Sequence, residues 1–222
     1  MSRLRIAVLA SGRGSNLQAL IDARAAGVFD AEFAGVFSDR PDAVALQRAA
    51  GAGIPRQALR PVDFADRAAF DDAFFDAVAA VQPDLIVCAG YMRLIGERHV
   101  VRFADRMINI HPSLLPAHPG LHTHRRALED GVRRHGASVH YVIPAVDAGP
   151  VLAQAAVDVR AGDTPDSLGE RVLAREHVLL PACVALIAGG RLRYDGGRVV
   201  LDGAPLTRPL QLDSDDRLTP AA

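Results

Sequence analysis

The first half of the chain alternates short apolar runs with longer segments of helical spacing, and few folds accommodate that rhythm. The runs are "RIAVLA" (5–10), "EFAGVFS" (32–38), "IPRQAL" (54–59), "DLIVCAG" (84–90) and "RMINIH" (106–111). Between them lie a helical pattern over 17–26, then "DAVALQRAAGAG", "DRAAFDDAFFDAVAAV" and a short stretch near "GERHVVRF". Strands joined by helices at this spacing predict an α/β fold, a doubly wound, mostly parallel sheet with helices on both faces.

The pattern changes after residue 111. A proline-rich loop leads to "HRRALEDG", read as a short helix closed by Gly131. "ASVHYVI" (137–143) and "VLAQAAVDV" (151–159) read as strands, and a long helix is predicted over 164–187, with "DTPDSLGE" supplying its capping residues. "RLRYDGGRVVLDG" predicts a hairpin turning at Gly196 and Gly197. No repeat or linker-like break interrupts the chain, so a single domain over 1–203 is expected, followed by a loose polar tail over 204–222.

Composition excludes some classes. The formal net charge is -1, and Arg supplies every strong base, so bulk electrostatics suggest no nucleic-acid surface. Cys88 and Cys183 sit in apolar runs and read as core residues of a reducing compartment. "MSRLR" lacks a signal pattern, and "HVLLPACVALIAGG" is too short for a bilayer and broken by Pro181. A cytoplasmic protein without membrane contact is expected.

Two segments carry candidate chemistry. "SGRGSN" (11–16) joins the first strand to the first helix, where glycines let backbone N–H groups approach a phosphate. Leu17 stands where the dinucleotide fingerprint needs its third glycine, and the Walker spacing and its Lys are absent. Two readings stay open: a cradle for one phosphate at Gly14, Ser15 and Asn16, or a plain turn capped by Ser15.

The second segment, "INIHPSLLPAHPGLHTHRRALEDG" (108–131), is rich in histidine and proline. His118 and His122 have i, i+4 spacing, but Pro116, Pro119 and Gly120 exclude the helix that would align them, and no paired Cys or "HExxH" accompanies them. Asn109 and His111 instead alternate at the carboxyl end of a predicted strand, where open α/β sheets place ligands, and so point the same way. An amide and an imidazolium suit an oxyanion forming on an attacked carbonyl. With no "GxSxG", direct attack by a substrate amine is the natural route. Asp147, in "VDAGPV", is placed to hold His111 and raise its pKa. A structural Asn–His pair with a turn Asp is the alternative.

"SGRGSNLQAL", "AGYMRLI", "INIHPSLLPAHPGLHTHRRALEDG" and "VDAGPVLAQAAV" together resemble the phosphoribosylglycinamide formyltransferases, over roughly residues 5–190. The resemblance implies a Rossmann-like formyltransferase fold and transfer of a formyl group from 10-formyltetrahydrofolate to the amine of 5-phosphoribosylglycinamide, without a metal. It implies Asn109, His111 and Asp147 as the catalytic group. Gly14, Ser15 and Asn16 would bind the ribose phosphate, and Glu176 the ribose hydroxyls. The folate would lie along Met92, Arg93, Leu94 and Ile95, beside Asn109 and along Ile143, Pro144, Ala145, Val146 and Asp147, with Arg67 near its carboxylate end. His122 would line the substrate site, while His118 and His124 would pack or face solvent. The expected partners are these two small molecules, with no nucleic acid and no membrane; a homodimer stays open. Rival readings are another folate formyltransferase, a formyltetrahydrofolate hydrolase, a nicotinamide-dependent dehydrogenase or a non-catalytic sensor. The first two are expected to carry an additional domain, and Leu17 argues against the dehydrogenase.

Overall fold

The computed structural model describes residues 3–195 and 197–220 and divides into two compact units, Met1–Asn109 and Ile110–Ala222. In the first unit, β1 (Leu4–Leu9), β2 (Ala31–Ser38), β3 (Arg56–Ala58), β4 (Leu85–Cys88) and the start of β5 (Met107–His111) form an all-parallel sheet. β1 pairs with β2 and β4, β2 with β3, and β4 with β5. The helices α1 (Ser15–Ala25), α2 (Val44–Gly51), α3 (Arg67–Ala80) and α4 (Glu97–Arg102) connect successive strands. Parallel neighbours require such crossovers, so the predicted alternation is realised. Ile6, Leu9, Ile86 and the α3 rings Phe70, Phe74 and Phe75 are fully buried.

The second unit begins at Ile110, inside β5. α5 (Thr123–Glu129) leads into β6 (Arg134–Tyr141), which pairs antiparallel with β7 (Val151–Asp158). β6 starts ahead of the predicted run because Arg134 and His135 pair with Asp158 and Val157. α6 (Pro165–Ala188) has a capping box between Thr164 and Ser167. It continues through Pro181, which is buried within it, in keeping with the helix predicted over 164–187; the packing of that face outweighs the missing N–H. No described helix is long and apolar enough to cross a membrane.

β8 (Leu192–Asp195) and β9 (Arg198–Leu201) form the expected hairpin, and β10 (Ala204–Pro205) extends it; Gly196 lies outside the described residues. The expected loose tail is a correction. β11 (Leu210–Leu212) pairs parallel with β7, and β12 (Leu218–Thr219) pairs antiparallel with β11. Leu210 and Leu212 bury, while Arg175 of α6 holds Asp216 at 2.6 Å and the carbonyl of Asp213 at 2.7 Å. Two alternating leucines and one arginine suffice to order a segment whose composition is polar.

Candidate active site

His111 ends β5 and is 5% exposed. Asn109 lies two residues earlier on the same strand, and strand alternation sends both side chains to one face. The His111 Nε2–H donates to the carbonyl of His118 at 3.1 Å, a direction set by the carbonyl, which can only accept. Its Nδ1 lies 3.4 Å from Asp147 Oδ2.

Asp147 sits in a left-handed turn conformation, φ 51°. The Gly120 N–H donates to its Oδ2 at 2.8 Å, and His140 Nε2 stands 3.6 Å from Oδ1. The His140 Nδ1–H in turn donates to the carbonyl of Tyr141 at 2.9 Å. Burial alone would raise the Asp147 carboxyl, but His140, the Gly120 N–H and His111 outweigh it and hold the group at about 2. His111 behaves in the opposite way. Burial pushes its pKa below the ordinary 6.5, and the upward pulls of the His118 carbonyl and of Asp147 do not compensate. The expected net rise is therefore corrected, because desolvation of the imidazolium is the larger effect.

Two other histidines of the segment, His118 and His124, turn toward His135 of β6. His124 Nδ1 and His135 Nε2 are 3.1 Å apart, and the His118 and His135 rings meet edge-on at 5.8 Å. His135 is pushed down to about 4, chiefly by burial and then by His124, His118 and His111. Among the described residues no group of three or more His, Cys, Asp or Glu is arranged to hold a metal ion. His118 is buried, as expected for a packing residue, whereas His122 is exposed at the start of α5 with φ 58°.

In the first unit, Gly14 is the N-cap of α1 with φ 67°, and no side chain caps the helix. Ser15 is the first helical residue, not the cap, and the N-cap glycine has no side chain with which to accept from the first turn. A Cβ on Gly14 would stand 2.6 Å from Ala45 Cα, so only glycine fits this turn. Asn16 is buried.

The residues assigned to folate within this unit are brought together. Arg67 donates to the carbonyl of Leu94 at 2.7 Å, and its Nε lies 3.5 Å from buried Asp71. The Met92 N–H donates to Ser11 Oγ at 2.9 Å, and the Arg93 guanidinium stacks over Phe70 at 4.8 Å. Met92 and Leu94 remain exposed at 66% and 59%, an apolar surface that solvent would not by itself favour, while Ile95 is half-buried. In the second unit, Ile143 is half-buried, Pro144, Ala145 and Val146 are exposed, and Glu176 is buried on α6.

Sequence reading missed His140, the Gly120 N–H and the His118 carbonyl. His140 could have been flagged as a histidine between the apolar Val139 and Tyr141 of a predicted strand; the two backbone groups depend on turn geometry and leave no residue-type signal.

This parallel sheet, with an Asn–His pair at the end of β5 and an ionised Asp against the imidazole, defines a formyl-transfer type of protein: the formyl transferase family model matches residues 4–184. The phosphoribosylglycinamide formyltransferase of Escherichia coli is 44% identical over 203 residues, covering 91% of this chain and 96% of that one. That of Mycobacterium tuberculosis is 45% identical over 184 residues, covering 83% and 85%. The structure of the enzyme from Coxiella burnetii superposes with a TM-score of 0.88 at 45% identity, covering 93% of this chain and 97% of that one. The chain belongs to the phosphoribosylglycinamide formyltransferase family.

Proposed function

We propose that this chain transfers the formyl group of 10-formyltetrahydrofolate to the amine of 5-phosphoribosylglycinamide, a step of purine synthesis. The observation that carries the reading is the set Asn109, His111 and Asp147, with His111 Nδ1 3.4 Å from an Asp147 carboxyl held at about 2. The neutral amine attacks the formyl carbon, a C–N bond forms, and the carbonyl oxygen becomes anionic. The Asn109 amide donates to that oxygen, and the imidazolium of His111 nearby offsets its charge. Because burial disfavours the charged ring before reaction, His111 becomes charged by accepting the proton that the attacking nitrogen releases, with Asp147 beside it to balance the charge. A proton leaves the attacking nitrogen and reaches N10 of the folate through His111 or water, the C–N10 bond breaks, and the formylated amide and tetrahydrofolate depart.

Gly14, Ser15 and Asn16 bind the ribose phosphate; the uncapped start of α1 supports this. Glu176 takes the ribose hydroxyls. Arg67, Met92, Arg93, Leu94 and Ile95, together with Asn109 and 143–147, hold the folate. One family model running through both compact units, over residues 4–184, supports reading them as one formyltransferase domain. The test is formyl transfer measured on chelator-treated protein beside His111→Ala. Transfer that collapses in the variant supports the reading. Formate release without amine formylation would instead make it a hydrolase, and absence of both, with ligands still bound, a sensor.

A further inference from the structure

The turn at 118–120 touches both ionisable members of the proposed catalytic group. The carbonyl of His118 accepts from His111 at 3.1 Å, and two residues later the N–H of Gly120 donates to Asp147 at 2.8 Å. The turn is not self-supporting. His118 has φ 52°, a left-handed conformation that a Cβ-bearing residue adopts only at a cost. Flanking side chains fix it. His118 Nε2, on a ring 8% exposed, donates to Asp130 Oδ2 at 2.9 Å, and Arg126 donates to the carbonyl of Pro119. Both partners come from α5 and its C-cap.

We propose that His118 and Asp130 are positioning residues: their side-chain bond locks the 118–120 turn onto α5, and the turn in turn sets the ring of His111 and the carboxylate of Asp147. Neither residue touches substrate. A buried imidazole on an exposed carboxylate, 63% accessible, also gives the proposal a partner that can be changed without disturbing the core. The groups facing the His118 ring are Asp130 from the end of α5 and His135 from β6, with Arg126 anchoring the adjacent carbonyl.

The inference rests on the reading of function above, and its test separates the two. Steady-state kinetics are measured for His118→Phe, His118→Gln, Asp130→Ala and Asp130→Asn, with nitrogen NMR of the His111 ring alongside. Phe keeps the bulk without the donor, and Ala removes the acceptor. Both should lower kcat about ten- to a hundredfold, the cost of a small misplacement of reacting groups, with KM for both substrates little changed. Gln and Asn, which retain a donor and an acceptor at matching reach, should restore most of the rate. The His111 ring signals should move in Phe and Ala and return in Gln and Asn. Wild-type kcat in both disruptive variants would overturn the inference. So would a loss of rate with unmoved His111 signals and no rescue, the signature of general destabilisation. If the wild-type chain shows no transfer at all, the functional reading fails instead, and the His111 signals alone decide whether the lock exists.

Discussion

His111 and Asp147 face each other at 3.4 Å, and their pKa values move in the same direction for opposite reasons. Burial drives His111 down, whereas hydrogen bonds and neighbouring imidazoles drive Asp147 down to about 2. The outcome is a carboxylate already charged beside a ring whose charged form burial disfavours.

Asn109→Ala removes a donor to the developing oxyanion. Such a donor stabilises the transition state by about 2.7–4 kcal/mol, so single-turnover transfer at saturating substrates should slow roughly a hundred- to a thousandfold. Near-normal turnover would take Asn109 out of the mechanism.

His135 sets a pH window for stability. Its pKa is about 4 in the folded chain against an ordinary 6.5. As pH falls from 6.5 toward 4, the unfolded chain takes up a proton that the folded chain refuses, so stability is lost across that interval. The shift corresponds to at most about 3 kcal/mol. Asp147 acts lower: its contribution, complete above the ordinary 3.8, fades as pH falls toward about 2. Urea midpoints between pH 7.5 and 4.5 should fall less steeply in His135→Phe than in the wild type; parallel curves would assign the loss to other groups.

Gly14→Ala tests the phosphate loop. The added Cβ meets Ala45 Cα at 2.6 Å and forces an alanine to φ near 67°. Left-handed strain and overpacking together cost about 2–5 kcal/mol. Thermal unfolding should shift downward, and KM for the phosphorylated substrate should rise more than KM for the folate. An equal rise in both would argue against a phosphate role for this loop.

Leu210→Ala probes the C-terminal segment. Leu210 is 1% exposed, and truncating a buried leucine typically costs about 2–5 kcal/mol. Amide exchange should quicken first in β11 and β12. An unchanged denaturant midpoint would mean that the segment contributes little.

The strands of the first unit were legible because buried parallel strands are nearly continuous apolar runs bounded by turn residues. "RIAVLA" and "DLIVCAG" announce themselves in this way, and Asn109 and His111 followed from alternation on such a strand. The tail was not legible, since "LQLDSDDRLTPAA" holds only two leucines on a buried face and their partner strand lies more than fifty residues earlier. The lowered pKa of His111 was also out of reach, because the depth to which a side chain is buried is not written in its immediate neighbours.

The pairing of β11 along β7 has a meaning beyond stability. Without it, the stretch of β7 around Ala153 and Gln154 would present free N–H and C=O groups on the side away from β6, a template on which another chain can add a strand. In its place the edge is β12, two residues long and followed by Pro220, which has no N–H to offer. Removal of the segment should therefore show itself first as concentration-dependent clumping of folded molecules.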